Sequence, residues 1–85
     1  MSVEEKFNRR NNELQQKIIS EIEKVKSNQS KKNILQLQTI LRELKDSSDI
    51  KNMALSYPRM IIDSWDYSDQ LGVELIELAE LYKKI

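Results

Sequence analysis

The stretch from Ile50 to Trp65 constrains the fold of this chain more than any other segment. Nine of its sixteen residues are apolar, and most of them follow one another at steps of three, one or four. This spacing places them on one face of an α-helix. Leu55 and Ile62 widen that face, which predicts a central helix covered on more than one side. We therefore expect Trp65 to be buried between the last helix and the second half of the first.

Pro58 interrupts this central helix. A proline inside a helix removes one hydrogen bond and collides with the carbonyl four residues earlier, here that of Ala54. It also disfavours helical backbone at Tyr57. Two outcomes stay open: a single helix kinked near Pro58, or a short helix over residues 49–56 followed by a second helix that Pro58 opens.

The first two helices are marked by their capping residues. Ser2 followed by Glu5 is a capping-box pattern, and it predicts a helix from Val3 to about Ser27. The apolar seam of this helix is interrupted near Asn11, so its first half should be only lightly held. Ser30 is a suitable N-cap for a second helix over about 31–45, which the polar run 46–49 closes.

The last helix has the most regular apolar pattern in the chain. Its seam consists of residues four, three, four and three apart: Leu71, Leu75, Leu78, Tyr82 and Ile85. Asp66 or Ser68 is expected to cap it. Gly72 is unfavourable inside a helix by about 1 kcal/mol relative to alanine. A close approach to a neighbour, such as the Trp65 ring, would explain its presence.

These patterns predict an all-α fold, since one glycine and one proline leave little material for sheet turns. We expect a single domain over residues 1–85, built as a small antiparallel bundle of four helices whose third helix is kinked or broken near Pro58. The first helix should overhang its shorter neighbours. Val3, Phe7 and Leu14 would then leave apolar surface for a homodimer through this helix.

The chain is poorly supplied for catalysis, because it contains neither cysteine nor histidine. General acid-base chemistry and metal binding would have to rely on carboxylates, lysines or tyrosines. We therefore expect a protein that is not an enzyme, with no catalytic, cofactor-binding or metal-binding residues. The polar start of the chain is unlike a signal peptide, which favours the cytoplasm. The lysine, isoleucine and asparagine content is typical of a low-GC bacterium, phage or plasmid.

The formal net charge is zero, but it is divided unevenly along the chain. Residues 1–45 carry ten Lys/Arg and six Glu, a net +4, whereas residues 46–85 carry four Lys/Arg and eight Asp/Glu, a net −4. This asymmetry can set the choice of a partner. The simpler interpretation is that acidic and basic helices neighbour each other within one bundle.

An aromatic and acidic corner is the main candidate for partner binding. Tyrosine and tryptophan are enriched at the centres of interfaces, and an acidic ring around them suits a basic partner surface. The candidate partner-binding residues are Tyr57, Asp63, Asp66, Tyr67 and Asp69. This favours a small non-catalytic helical module, of inhibitor, immunity-protein or adaptor type, that acts by occupying a protein partner of unknown identity.

Two resemblances are present, and neither assigns the chain to a family. The run from Ser68 to Leu71 resembles the Ser-Gln-Glu-Leu-Asp signature of small helical phosphatases that act on response regulators, but the order differs and Gly72 stands where the aspartate should be. The size and helical make-up are similar to those of bacteriocin immunity proteins of low-GC bacteria. The second resemblance is one of class, with no motif behind it.

The alternative is a nucleic-acid-associated regulator that uses the basic N-terminal half. Its candidate phosphate-binding residues form two groups: Lys6, Arg9 and Arg10, then Lys24, Lys26, Lys31 and Lys32. Against it, the isoelectric point is about 6.3, whereas a DNA-binding domain is usually clearly basic. We expect nucleic acid to be an unlikely partner.

Overall fold

Four α-helices account for the regular structure of the protein, which a computed structural model describes over residues 2–85. They are α1 (Val3–Lys26), α2 (Ile34–Asp49), α3 (Tyr57–Ser64) and α4 (Gln70–Tyr82). Contacts join α1 to α2 and α4, and α3 to the same two helices, so the helices form a closed ring around the core. The described residues contain no strand, and the predicted all-α bundle of four helices is confirmed. No helix within them is both long and apolar enough to cross a membrane.

The predicted capping box at the start of α1 is confirmed: the Ser2 hydroxyl oxygen accepts the Glu5 backbone N–H at 3.1 Å. The prediction of a lightly held first half is wrong, because Phe7 and Asn11 are both fully buried. The Asn11 amide fills the gap in the seam by donating to the Leu44 carbonyl oxygen at 2.9 Å and to the Ser47 hydroxyl at 3.2 Å. Of the three residues expected to support a homodimer, Phe7 and Leu14 are covered by the chain itself, whereas Val3 is 41% exposed.

α2 begins three residues later than predicted. Asn33 rather than Ser30 is its N-cap, and the Asn33 side chain accepts the backbone N–H groups of Leu35 and Gln36. The Ser30 hydroxyl is engaged elsewhere, because it donates to the Glu21 carboxylate at 2.8 Å. Residues 46–49, predicted to close this helix, remain helical.

The largest departure from the sequence pattern lies before Pro58. A break is present there, but residues 50–56 are not helical, and Pro58 lies in the first turn of α3. Asn52 adopts a left-handed backbone conformation with φ of 63°, which asparagine tolerates better than most residues. The Tyr82 hydroxyl holds this segment by donating to the Ile50 carbonyl oxygen and accepting the Met53 N–H. The predicted helix over 49–56 is therefore absent.

The core lies inside the ring and draws on all four helices. Its buried apolar residues are Phe7, Leu14, Ile18, Leu37, Ile40, Leu44, Tyr57, Ile61, Leu75, Leu78, Ala79 and Tyr82. Gly72 permits the close approach expected from the sequence, because a Cβ there would lie 3.2 Å from both Trp65 Cε3 and Ile61 Cγ2. Trp65 is only half-buried, and its indole N–H donates to the Gln36 side chain of α2 at 3.1 Å. Thus α2, rather than the first helix, supplies its polar partner.

Candidate protein-binding surface

An exposed apolar surface lies where α3 and α4 meet. Ile62, Tyr67 and Val73 are 52%, 88% and 39% exposed, respectively. Together with Trp65 and Ile76 they border one small cavity between the two helices. We call these five residues the α3–α4 face. A cluster of this kind differs from the scattered single apolar residues found on most protein surfaces.

The turn between α3 and α4 places Tyr67 outward. Trp65, immediately after α3, is held by its hydrogen bond to Gln36 and by its ring against Gly72. The Asp66 carboxylate accepts the Ser68 backbone N–H at 2.9 Å and the Ser68 hydroxyl at 2.8 Å. These bonds fix a tight turn, and Tyr67 at its tip is 88% exposed. Because Tyr67 is so exposed, packing in the core does not explain why a tyrosine stands at the tip of this turn.

Two carboxylates stand beside the α3–α4 face. Asp63 is exposed and forms an exposed ion pair with Arg59 at 3.5 Å, a pair of the kind that contributes little in water. Asp66 is fully exposed, and the backbone N–H and then the hydroxyl of Ser68 lower the pKa of its carboxyl group. The face therefore combines apolar side chains with an anionic edge.

The structure keeps three of the five predicted partner-binding residues on this surface. Asp66 and Tyr67 border its cavity and Asp63, next to Ile62 in the chain, is exposed, whereas Tyr57 is wholly buried and cannot contact a partner. The Tyr57 hydroxyl donates to the Leu75 carbonyl oxygen at 3.0 Å, and burial, together with the nearby Glu43 charge, raises the pKa of Tyr57. Its predicted role is corrected to that of a core residue.

Asp69 is engaged within the fold rather than presented to a partner. Its carboxylate is the N-cap of α4, which replaces Asp66 and Ser68 as the expected caps, and it pairs with Lys32 at 2.8 Å. Burial opposes its charge, but the Lys32 hydrogen bond and the N–H groups of Gly72 and Leu71 outweigh that effect and lower the pKa of Asp69. Any partner would have to compete with these internal bonds.

The candidate partner-binding residues predicted from the sequence did not include Ile62 or Val73. Ile62 is 52% and Val73 39% exposed, because none of the described helices packs over this side of α3 and α4. A usable signal was present for Ile62, since it lies off the main apolar seam of the central segment. Glu43 was also missed: it is buried, and its carboxylate accepts the N–H groups of Ser56 and Tyr57.

The basic residues of the nucleic-acid alternative are not gathered on one surface. Lys6 and Arg9 lie near the start of α1 and Lys26 at its end, about 25 Å away at 1.5 Å per residue. Arg10 pairs with Glu13 and Glu74, and Lys32 pairs with Glu21 and Asp69 while it covers the Trp65 ring at 5.3 Å. Lys24 lies 3.9 Å from Glu21, and Lys31 is exposed.

The uneven charge along the chain is therefore partly balanced inside the bundle. Glu74 of α4 pairs with Lys17 of α1 at 2.7 Å and with Arg10 at 3.3 Å. The hydrogen bond from Lys17 lowers the pKa of Glu74 despite partial burial. Glu80, farther along α4, pairs with Lys83 at 3.2 Å. Across residues 2–85, no group of three or more acidic side chains is placed to hold a metal ion.

Comparisons with known proteins give no further guide. No protein-family model, no curated protein and no solved structure matches this chain.

Proposed function

We propose that this protein is a small non-catalytic helical module that acts by occupying a protein partner, as an inhibitor, immunity protein or adaptor. The observation that carries the proposal is the position of Tyr67. It is 88% exposed on a turn fixed by hydrogen bonds, and it borders the same cavity as Ile62, Asp66 and Val73. Exposed aromatic side chains on a rigid support are the usual anchors of protein interfaces.

The buried polar side chains support a scaffold rather than a reaction centre. Asn11 and Ser47 join α1 to α2, and Glu43 joins α2 to the start of α3. Each buried side-chain nitrogen or oxygen in the described part of the chain has a hydrogen-bond partner. These groups are used in holding the helices together, whereas the exposed residues of the α3–α4 face make no comparable contribution to the fold. A role in binding a partner is the simpler explanation for the presence of these exposed side chains.

Capture from cells of the native host tests this function. Tagged wild-type protein should retain one protein partner in stoichiometric amount, and Tyr67→Ala should lose it while melting at the same temperature. Leu35→Ala is the matched control, because Leu35 is 69% exposed on α2 and does not line the cavity of the α3–α4 face. Equal capture by all three proteins, or capture of nucleic acid in place of protein, would overturn the proposal.

A further inference from the structure

The cavity within the α3–α4 face limits what a partner can insert. Its volume is about 90 Å³, and its lining, which includes Ile61 and Gly72, is apolar apart from Asp66 and the Tyr67 hydroxyl. A dry cavity of roughly 150 Å³ can hold benzene. The smaller volume here suits a single aliphatic side chain rather than an aromatic ring. Tyr67, at the rim, could pack over such a side chain.

The charge around this cavity limits the partner further. Residues 60–82 contain six acids and no lysine or arginine. Three of the six, Asp69, Glu74 and Glu80, are paired with bases elsewhere in the fold. Asp66 borders the cavity, and Asp63, next to Ile62 in the chain, is exposed and pairs only loosely with Arg59 at 3.5 Å. Lys32 lies over the Trp65 ring, but its charge is already opposed by Glu21 and Asp69. A basic segment would meet attraction here, whereas an acidic one would meet repulsion.

Resting on the proposed function, we propose the chemistry of the partner: a lysine- or arginine-rich segment that inserts one aliphatic side chain between α3 and α4. The inserted side chain fills the cavity bordered by Ile62, Val73 and Ile76, and the basic residues flanking it meet Asp63 and Asp66. The charges speed association and reject acidic competitors.

Three matched synthetic peptides test this chemistry on the full chain by amide NMR. The first carries one leucine among lysines, the second replaces that leucine with alanine, and the third replaces the lysines with glutamates. The leucine–lysine peptide should give saturable shifts at Ile62, Tyr67, Val73 and the Trp65 indole. The alanine peptide should bind about tenfold more weakly, as expected for three lost carbons in a partly open site. The glutamate peptide should not bind.

Variants of the protein locate the binding. Replacing both Asp63 and Asp66 by asparagine should weaken the leucine–lysine peptide and flatten its salt dependence. Tyr67→Ala should weaken binding of the leucine–lysine peptide but leave its salt dependence unchanged. Leu35→Ala should change neither the affinity nor the salt dependence. Equal binding of the leucine and alanine peptides, shifts spread away from the α3–α4 face, or no saturable shift would each overturn this inference. Tyr67-dependent capture from the host would survive those results, so the two proposals can fail separately.

Discussion

The start of α3 depends on a carboxylate from another helix. Removing that carboxylate should destabilise the whole protein. Ser56, the N-cap of α3, makes no capping hydrogen bond with its own side chain. Glu43 of α2 replaces it: its Oε1 atom accepts the Ser56 N–H at 2.8 Å and the Tyr57 N–H at 3.1 Å, and its Oε2 atom accepts the Ser56 hydroxyl. Glu43 is only 6% exposed, so water cannot readily take its place.

Glu43→Ala should therefore lower the free energy of unfolding by about 3 kcal/mol. Loss of a helix cap costs about 0.5–2 kcal/mol. A buried N–H left without a partner costs about 1–3 kcal/mol, and Tyr57 would have one. At roughly 0.05–0.15 kcal/mol per residue, a chain of this length has only about 4–13 kcal/mol in total. Glu43→Gln keeps one oxygen acceptor and should cost about half as much.

Urea unfolding followed by far-UV circular dichroism measures this loss. Glu23→Ala is the control, because Glu23 is an exposed acid near the end of another helix and should change stability by less than about 0.5 kcal/mol. If Glu43→Ala unfolds within about 0.5 kcal/mol of the wild type, the carboxylate does not hold the start of α3, and our explanation of the break before Pro58 is wrong.

Further predictions concern α4 and the Trp65 contact. Gly72→Val should lower the free energy of unfolding by about 1–3 kcal/mol and shift the fluorescence emission of Trp65. The reason is that even a Cβ at this position would lie 3.2 Å from the Trp65 ring and from Ile61. Unchanged emission and stability would refute the close packing. Trp65→Ala should cost less than the roughly 3–5 kcal/mol of a fully buried tryptophan, since the ring is only half-buried, and a larger loss in urea unfolding would contradict this. The fold lowers the pKa of Asp69 below its ordinary 3.8, so the carboxylate stabilises the protein above about pH 4 and loses this effect as the pH falls through the folded-state pKa. Asp69→Asn should thus be less stable than the wild type at pH 7, and the difference should shrink in acid; a constant difference between pH 7 and pH 2 would show that the Lys32 pair does not contribute.

The sequence predicts elements whose determinants are local. Ser2 and Glu5 cap α1 because both partners lie within one turn. The seam of α4 follows a helical period without interruption, and Gly72 correctly signals a close approach because only a missing side chain makes that approach possible. In such places neighbouring residues carry nearly all the information.

The segment before Pro58 was mispredicted because distant residues decide its conformation. Its apolar residues have helical spacing, yet Tyr82, from the end of α4, bonds the backbone of Ile50 and Met53 and draws it out of a helix. Glu43 then restarts the helix at Tyr57. The spacing of apolar residues along the chain gives no information about these two long-range contacts.

The candidate surface was predicted in part for a similar reason. Acidic and aromatic residue types pointed to Asp63, Asp66 and Tyr67, which are exposed. An apolar period does not reveal how many layers cover a helix, and this is why Ile62 was expected to be covered and Tyr57 to be available. Their exposed fractions, 52% and 0%, are set by the packing of α2 and α4 around α3.

Site-specific photocrosslinking in the native host tests most directly whether the protein works by occupying a partner through the α3–α4 face. A benzophenone amino acid replaces Tyr67 in one protein and Leu35 in another, and both are exposed positions where the label should leave the fold intact. The account predicts one dominant protein adduct from position 67, absent from position 35 and weakened when Asp63 and Asp66 are both changed to asparagine. No adduct at position 67, or the same adducts from both positions, would contradict it.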